Sequence, residues 1–195
     1  PAAGASPKGR VGFIQGCVMS VMFGDTNAAS VKLLNRAGWD VVTPPTQACC
    51  GALYAHGGNL ERARDCARHN IAVFEDLNLE AVIINAAGCG STLKEYGHLL
   101  QDDPRWAERA ERFSGRVKDL TEWLAAADFK SRITNLKSVT YHDACHLCHG
   151  QKIRRKSGRI WHRVSSAHFW EAMGGNDLFD KSFAVGRVCE NFWGG

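Results

Sequence analysis

An α/β fold is predicted: a mostly parallel sheet flanked by helices, followed by an irregular C-terminal tail. Two observations predict it. Four short apolar runs alternate with helical patterns, as in βαβ units. The runs are also apolar nearly throughout rather than at every second residue, as expected for strands covered on both faces. In order, the strand candidates are "RVGFIQG" (10–16), "WDVVTP" (39–44), "EAVIINAA" (80–87) and "SVTYHDA" (138–144).

Helical patterns fill the intervals. Residues 26–38, "TNAASVKLLNRAG", end in Gly38, a plausible C′ glycine. Residues 59–78 set Leu60, Ala63, Ala67, Ile71 and Phe74 at helical spacing behind Asn59, a candidate N-cap. Residues 91–100 begin at Ser91, a second N-cap candidate, and residues 104–114 and 118–127 complete the set. The domain boundaries expected from these patterns are a linker over 1–9, one cysteine-rich domain over 10–137, the beginning of a second such repeat over 138–153, and an aberrant or divergent tail over 154–195.

Composition narrows the function classes. A chain of 195 residues that is 45% hydrophobic can bury one ordinary α/β core. No apolar run approaches the ~18 residues of a membrane span, and no signal-peptide pattern opens the chain. It starts at Pro1 with the linker-like "PAAGASPKG", which reads as a piece of a longer protein. The net charge of +4 belongs to residues 151–195, where eight Lys/Arg face four Asp/Glu; the first 150 residues balance, so nucleic-acid binding is not expected. The tail also carries three of the six tryptophans and shows no clean period. A frame-shifted continuation would explain that change.

The eight cysteines are the strongest chemical signal, and without secretory features they point to metal or redox chemistry rather than a disulfide framework. Cys17 follows the first predicted strand, Cys49 and Cys50 the second, Cys89 the third, and Cys145 and Cys148 the fourth. In a parallel sheet these loops leave one edge, where open α/β folds bind ligands. Soft thiolates select zinc, copper(I) or iron–sulfur clusters. Single cysteines on separate loops suit a cluster, and the glycines of "GCV", "CCG" and "GCGS" allow backbone N–H groups near its sulfides. A helix opening at Ser91 would aim its first amides at that anionic site. Zinc is the alternative, with "HDACHLCHG" supplying His142, His146 and His149 beside Cys145 and Cys148. Cys66, mid-helix beside the apolar stripe, reads as core packing, whereas Cys148 and Cys189 have no clear role. Thiol–disulfide chemistry at Cys49/Cys50 is a third option.

The order Cys17, Cys49-Cys50-Gly51, Gly88-Cys89-Gly90 and "HDACH" resembles the cysteine-rich CCG domain. That domain is found in heterodisulfide reductases, lactate-utilisation proteins and anaerobic glycerol-3-phosphate dehydrogenases. "CCGALYAHGG", "AAGCGSTLKEYGHLL" and "YHDACHLCHGQ" resemble most closely the iron–sulfur subunits of glycolate oxidases. The resemblance runs over residues 10–153. It implies a non-catalytic electron-transfer subunit holding an iron–sulfur cluster, of the 4Fe-4S type, on Cys17, Cys49, Cys50 and Cys89. Cys145 is a further candidate, placed where a second repeat would begin. The family's final cysteine pair is half missing, since Ala86 stands at its first position. The implied partners are flavin-containing dehydrogenase subunits that feed electrons toward quinone, in the cytoplasm or on the cytoplasmic face of the inner membrane. No G-x-G-x-x-G follows a strand, so a flavin site is not expected in this chain. His56 and Lys94 could add positive charge near the cluster. Glu95, Tyr96 and His98 could line the site or face a partner.

Overall fold

The computed structural model describes residues 6–127 and 144–153. Four parallel strands form one sheet: β1 (Gly9–Ile14), β2 (Trp39–Val42), β3 (Ala81–Ile84) and β4 (Val117–Asp119), in the order β2-β1-β3-β4. β1 pairs with β2 through Gly12↔Val42 and with β3 through Ile14↔Ile84. The chain leaves β1 toward β2 on one side and later returns to β3 on the other. The topological switch point therefore lies between β1 and β3.

Alternation along the strands assigns the two faces. Val11 and Phe13 of β1 and Ala81 and Ile83 of β3 pack with Leu33 and Leu34 of α2 (Gly24–Arg36) and with Leu120 and Leu124 of α8 (Leu120–Ala126). Ile14, Val82 and Ile84 point the other way, onto Ala67, Ile71 and Phe74 of α4 (Leu60–Phe74). The same cluster includes Leu93 of α5 (Ala87–Lys94), Tyr96 of α6 (Tyr96–Leu99) and Phe113 of α7 (Ala107–Arg116). With both faces covered, β3 and the end of β1 are apolar at successive residues, as expected for buried strands. Two short helices, α1 (Cys17–Met22) and α3 (Ala52–His56), follow the first two strands.

Several expected boundaries move. Asn59 does cap α4, its side chain accepting from the Arg62 N–H at 3.2 Å, and Gly38 follows the end of α2 as C′. Leu60, however, is 45% exposed and does not belong to the stripe. Ser91 is not a cap: α5 begins four residues earlier, at Ala87, with Ala86 at the N-cap and no side-chain cap bond. Its opening turn, Ala87-Gly88-Cys89-Gly90, is too glycine-rich to read as helix from propensity. Residues 117–119 form an edge strand rather than the start of a helix. In that strand Val117 and Asp119 are buried and Lys118 is half-buried, too short a run for its period to show. Asp119 then caps α8, accepting from the Thr121 N–H at 2.8 Å.

The predicted strand at 138–144 lies, apart from Ala144, outside the described residues, as do the linker's first five residues, His142, Cys189 and the tail beyond Ile153. Residues 144–153 contain a π-helical turn, His146–Gly150, seated on α5. Gln151 Nε2 donates to Ala87 O at 2.9 Å, and Leu147, Cys148 and Ile153 are buried.

Candidate metal centre

Each of the strands β1, β2 and β3 delivers cysteine beyond its carboxyl end. Cys17 opens α1 after β1, Cys49 and Cys50 precede α3 after β2, and Cys89 sits in the first turn of α5 after β3. The structure brings these four together. Cys17 Sγ lies 3.5 Å from Cys49 Sγ. The Cys50 thiol donates to Cys89, and Cys89 in turn feels the charges of Cys17 and Cys49. The adjacent thiols of residues 49 and 50 touch each other, and beyond that contact one reaches Cys17 and the other Cys89.

Burial grades the set. Cys17 is exposed, Cys49 and Cys89 are half-buried, and Cys50 is 2% exposed. The hydrogen bond to Cys89 and the loss of water push the Cys50 thiol far up, and the same bond lowers Cys89 toward the thiolate. Cys17 is raised by burial and by its neighbour Cys49. Cys66 is half-buried on α4, raised by burial and by the charge of Cys50. It therefore borders the cysteine set as well as the core.

Gly51 shapes the floor. Its φ of 83° is left-handed, and a Cβ there would meet Ala63 O and Cys66 Cβ, each at 3.2 Å. This lets the chain fold tightly over α4, and the Gly51 N–H points at Cys49 Sγ, 3.4 Å away. A backbone amide directed at a cysteine sulfur suits a thiolate cluster. The donors are soft, come from three separate connections and meet a cradle without room for a Cβ. An iron–sulfur cluster fits these residues. Among the described residues no group of three or more His, Cys, Asp or Glu side chains is arranged to hold a single metal ion. The zinc alternative at Cys145, Cys148, His146 and His149 thus finds no support. Cys145 is exposed on the neighbouring segment, whereas Cys148 is buried.

Of the other candidates, Lys94 pairs with Glu122 at 2.7 Å between α5 and α8, so a local carboxylate offsets its charge. The His56 ring lies edge-on to His146, with centroids 5.9 Å apart, joining α3 to segment 144–153. Glu95 ends α5, and His98 contacts Gln101 on the surface. Tyr96 is fully buried beneath the site, its Oη donating to Cys50 O at 2.8 Å, and burial raises its pKa.

Sequence reading missed a layer of amides. Gln47 bridges β1 to the loop before Cys49, donating to Phe13 O at 3.2 Å and accepting from the Gln15 N–H at 2.7 Å. Asn27 donates to Gln15 O at 2.9 Å and accepts from Asn85 at 2.9 Å. Asn70 occupies the apolar stripe of α4. Its signal was available: a buried amide among Ala67, Ile71 and Phe74 is a local conflict that needs a reason. Val18, Val21 and Met22 of α1 and Leu53 and Tyr54 of α3, on the two short helices that follow Cys17 and Cys50 in the chain, are exposed apolar side chains.

Comparison with known proteins follows the same residues. Residues 11–94 match the family described as a cysteine-rich domain, CCG. The chain is 45% identical over 167 residues to a probable glycolate oxidase iron-sulfur subunit of Bacillus subtilis (strain 168), covering 84% of this chain and 38% of that protein. It is 32% identical over 161 residues to the glycolate oxidase iron-sulfur subunit of Escherichia coli (strain K12), covering 80% and 40%. A lactate utilization protein A of Bacillus cereus (strain G9842) is 27% identical over 152 residues, covering 76% and 62%. The chain thus spans about two-fifths of the two glycolate oxidase subunits. No solved structure matches it.

Proposed function

We propose, from the match of residues 11–94 to the cysteine-rich CCG domain family, that this chain is the cluster-binding part of an iron–sulfur electron-transfer subunit in a 2-hydroxy-acid dehydrogenase complex of the glycolate oxidase type. The observation that carries the proposal is the meeting of Cys17, Cys49, Cys50 and Cys89 from three separate connections at one sheet edge. These four thiolates would hold the cluster. Cys145, exposed at the start of the segment that packs on α5, is an additional candidate. Bound there, a 4Fe-4S cluster supplies a one-electron redox centre whose potential responds to hydrogen bonds at the sulfurs and to burial.

The chain's own groups prepare the site. The Gly51 N–H donates toward Cys49, and burial keeps water from Cys50. Oxidation of the hydroxy acid belongs to a flavin-containing partner, with electrons leaving toward quinone. The complex would work in the cytoplasm or at the cytoplasmic face of the inner membrane. No helix among the described residues is long and apolar enough to cross a membrane, so association through partners accounts for that placement.

Anaerobic reconstitution with ferrous iron and sulfide tests the proposal. Iron–sulfur charge-transfer absorption and an EPR signal on reduction are expected, lost when Cys17, Cys49, Cys50 or Cys89 is changed to Ser. The chain alone should not oxidise glycolate. A protein that stays colourless, or whose cluster survives all four substitutions, would overturn the assignment.

A further inference from the structure

We propose that Asn70 and Tyr96 are positioning residues: together they clamp the Cys49–Cys50 peptide so that one thiol reaches Cys17 and the other Cys89, and thereby set how firmly the site keeps its cluster. The inference rests on the cluster reading above. Asn70, 0% exposed, reaches across from α4. Its Oδ1 accepts from the Ala48 N–H at 2.9 Å, and its Nδ2 donates to Cys49 O at 2.9 Å and to Tyr96 Oη at 3.3 Å. Tyr96, also 0% exposed, passes the chain on by donating to Cys50 O at 2.8 Å. Three consecutive residues, 48 to 50, are gripped by two side chains that make no bond to a sulfur.

The bonding has one arrangement. Both Nδ2 hydrogens are used and Oδ1 faces an N–H, so a flipped amide would set donor against donor. Tyr96 Oη then has its acceptor role filled by Asn70, which directs its proton at Cys50 O. Such a chain strengthens each member through polarisation. With the carbonyls of Cys49 and Cys50 drawn toward α4 and α6, Cys49 Sγ is left beside Cys17 and the Cys50 thiol beside Cys89. Phenylalanine could fill the space of Tyr96 against Phe113, whose ring centroid is 5.6 Å away. The hydroxyl is what the cysteine loop uses.

Tyr96→Phe is the primary test, because it keeps that ring packing. Ser114→Ala serves as a control: it removes another buried hydroxyl, one that bonds Gly97 N and Leu93 O instead of the cysteine loop. In the iron-free chain, maleimide labelling followed by mass spectrometry should show Cys50 reacting about tenfold or more faster relative to Cys66 in Tyr96→Phe, and no change in Ser114→Ala. After reconstitution, Tyr96→Phe should lose iron to a chelator about 10- to 100-fold faster and show a shifted EPR signal, since outer-sphere partners act on this scale. Asn70→Asp, which keeps the acceptor for Ala48 but loses both donors, should do the same or more. If Tyr96→Phe behaves like Ser114→Ala in labelling, iron loss and EPR, the clamp is overturned. If the unaltered chain takes up no cluster, the cluster reading falls, and the labelling ratio still decides the clamp.

Discussion

The two halves of the cysteine set are built differently. Cys50 and Cys89 sit against the core under α4, α5 and α6, with Cys50 buried and its carbonyl held by Tyr96. Cys17 and Cys49 meet at the surface, and Cys17 opens a six-residue helix with no buried residue and no side-chain cap. A helix that short is not stable on its own propensity, and α1 has little packing to compensate. One half is therefore preorganised by tertiary contacts, and the other stands where a bound group or a partner surface can order it. This division suits a site that must admit its cluster after folding.

The contrast breaks most sharply at the glycines. Gly51→Ala should cost about 2–4 kcal/mol, combining left-handed strain with overlap onto Ala63 and Cys66, read as a lower denaturant midpoint in the iron-free chain. Gly16 leads into Cys17 with φ 69° and ψ 156°, a conformation nearly restricted to glycine, yet a Cβ there would meet only Met19, at 3.7 Å. Gly16→Ala should cost about 1–2 kcal/mol, from strain alone. Equal losses at the two positions would remove the distinction between the halves.

A smaller effect comes from the ion pairs that brace the buried half. Glu75, just past α4, is gripped by Arg109 of α7, whose Nε donates to Glu75 Oε2 at 2.9 Å. The guanidinium holds the Glu75 carboxyl below its usual range. A depressed folded-state pKa means stability that is present above the unfolded value and lost as pH falls through the folded one. Glu75→Gln should therefore destabilise by about 0.5–1 kcal/mol near neutrality, as expected for a partly exposed pair. The deficit should shrink as both chains are acidified downward from the unfolded carboxylate's pKa of about 4.3. A deficit independent of pH would assign the effect to packing.

Much of this was legible before any coordinates. Continuous apolar runs follow from strands covered on both faces, so β1, β2 and β3 could be read within a few residues. Asn59 was readable as a cap because capping is a local bond. The convergence of Cys17, Cys49, Cys50 and Cys89 followed from one topological fact: parallel strands end at a common edge. Other features depend on partners distant in sequence. β4 is three residues long and exists because β3 offers it an edge. α5 begins at Ala87 against its own glycine propensity, packed on β4 and residues 144–153. Lys94 reads as a charge for the cluster until Glu122 is found beside it. Asn70 looks like a flaw in an apolar stripe until its contacts with residues 48 and 49 are known. Periodicity, caps and cysteine spacing are local and belong to the sequence by itself. Which thiol faces which, and what holds the peptide between them, depends on long-range contacts and was decided only when α4 and α6 closed over the cysteine loop.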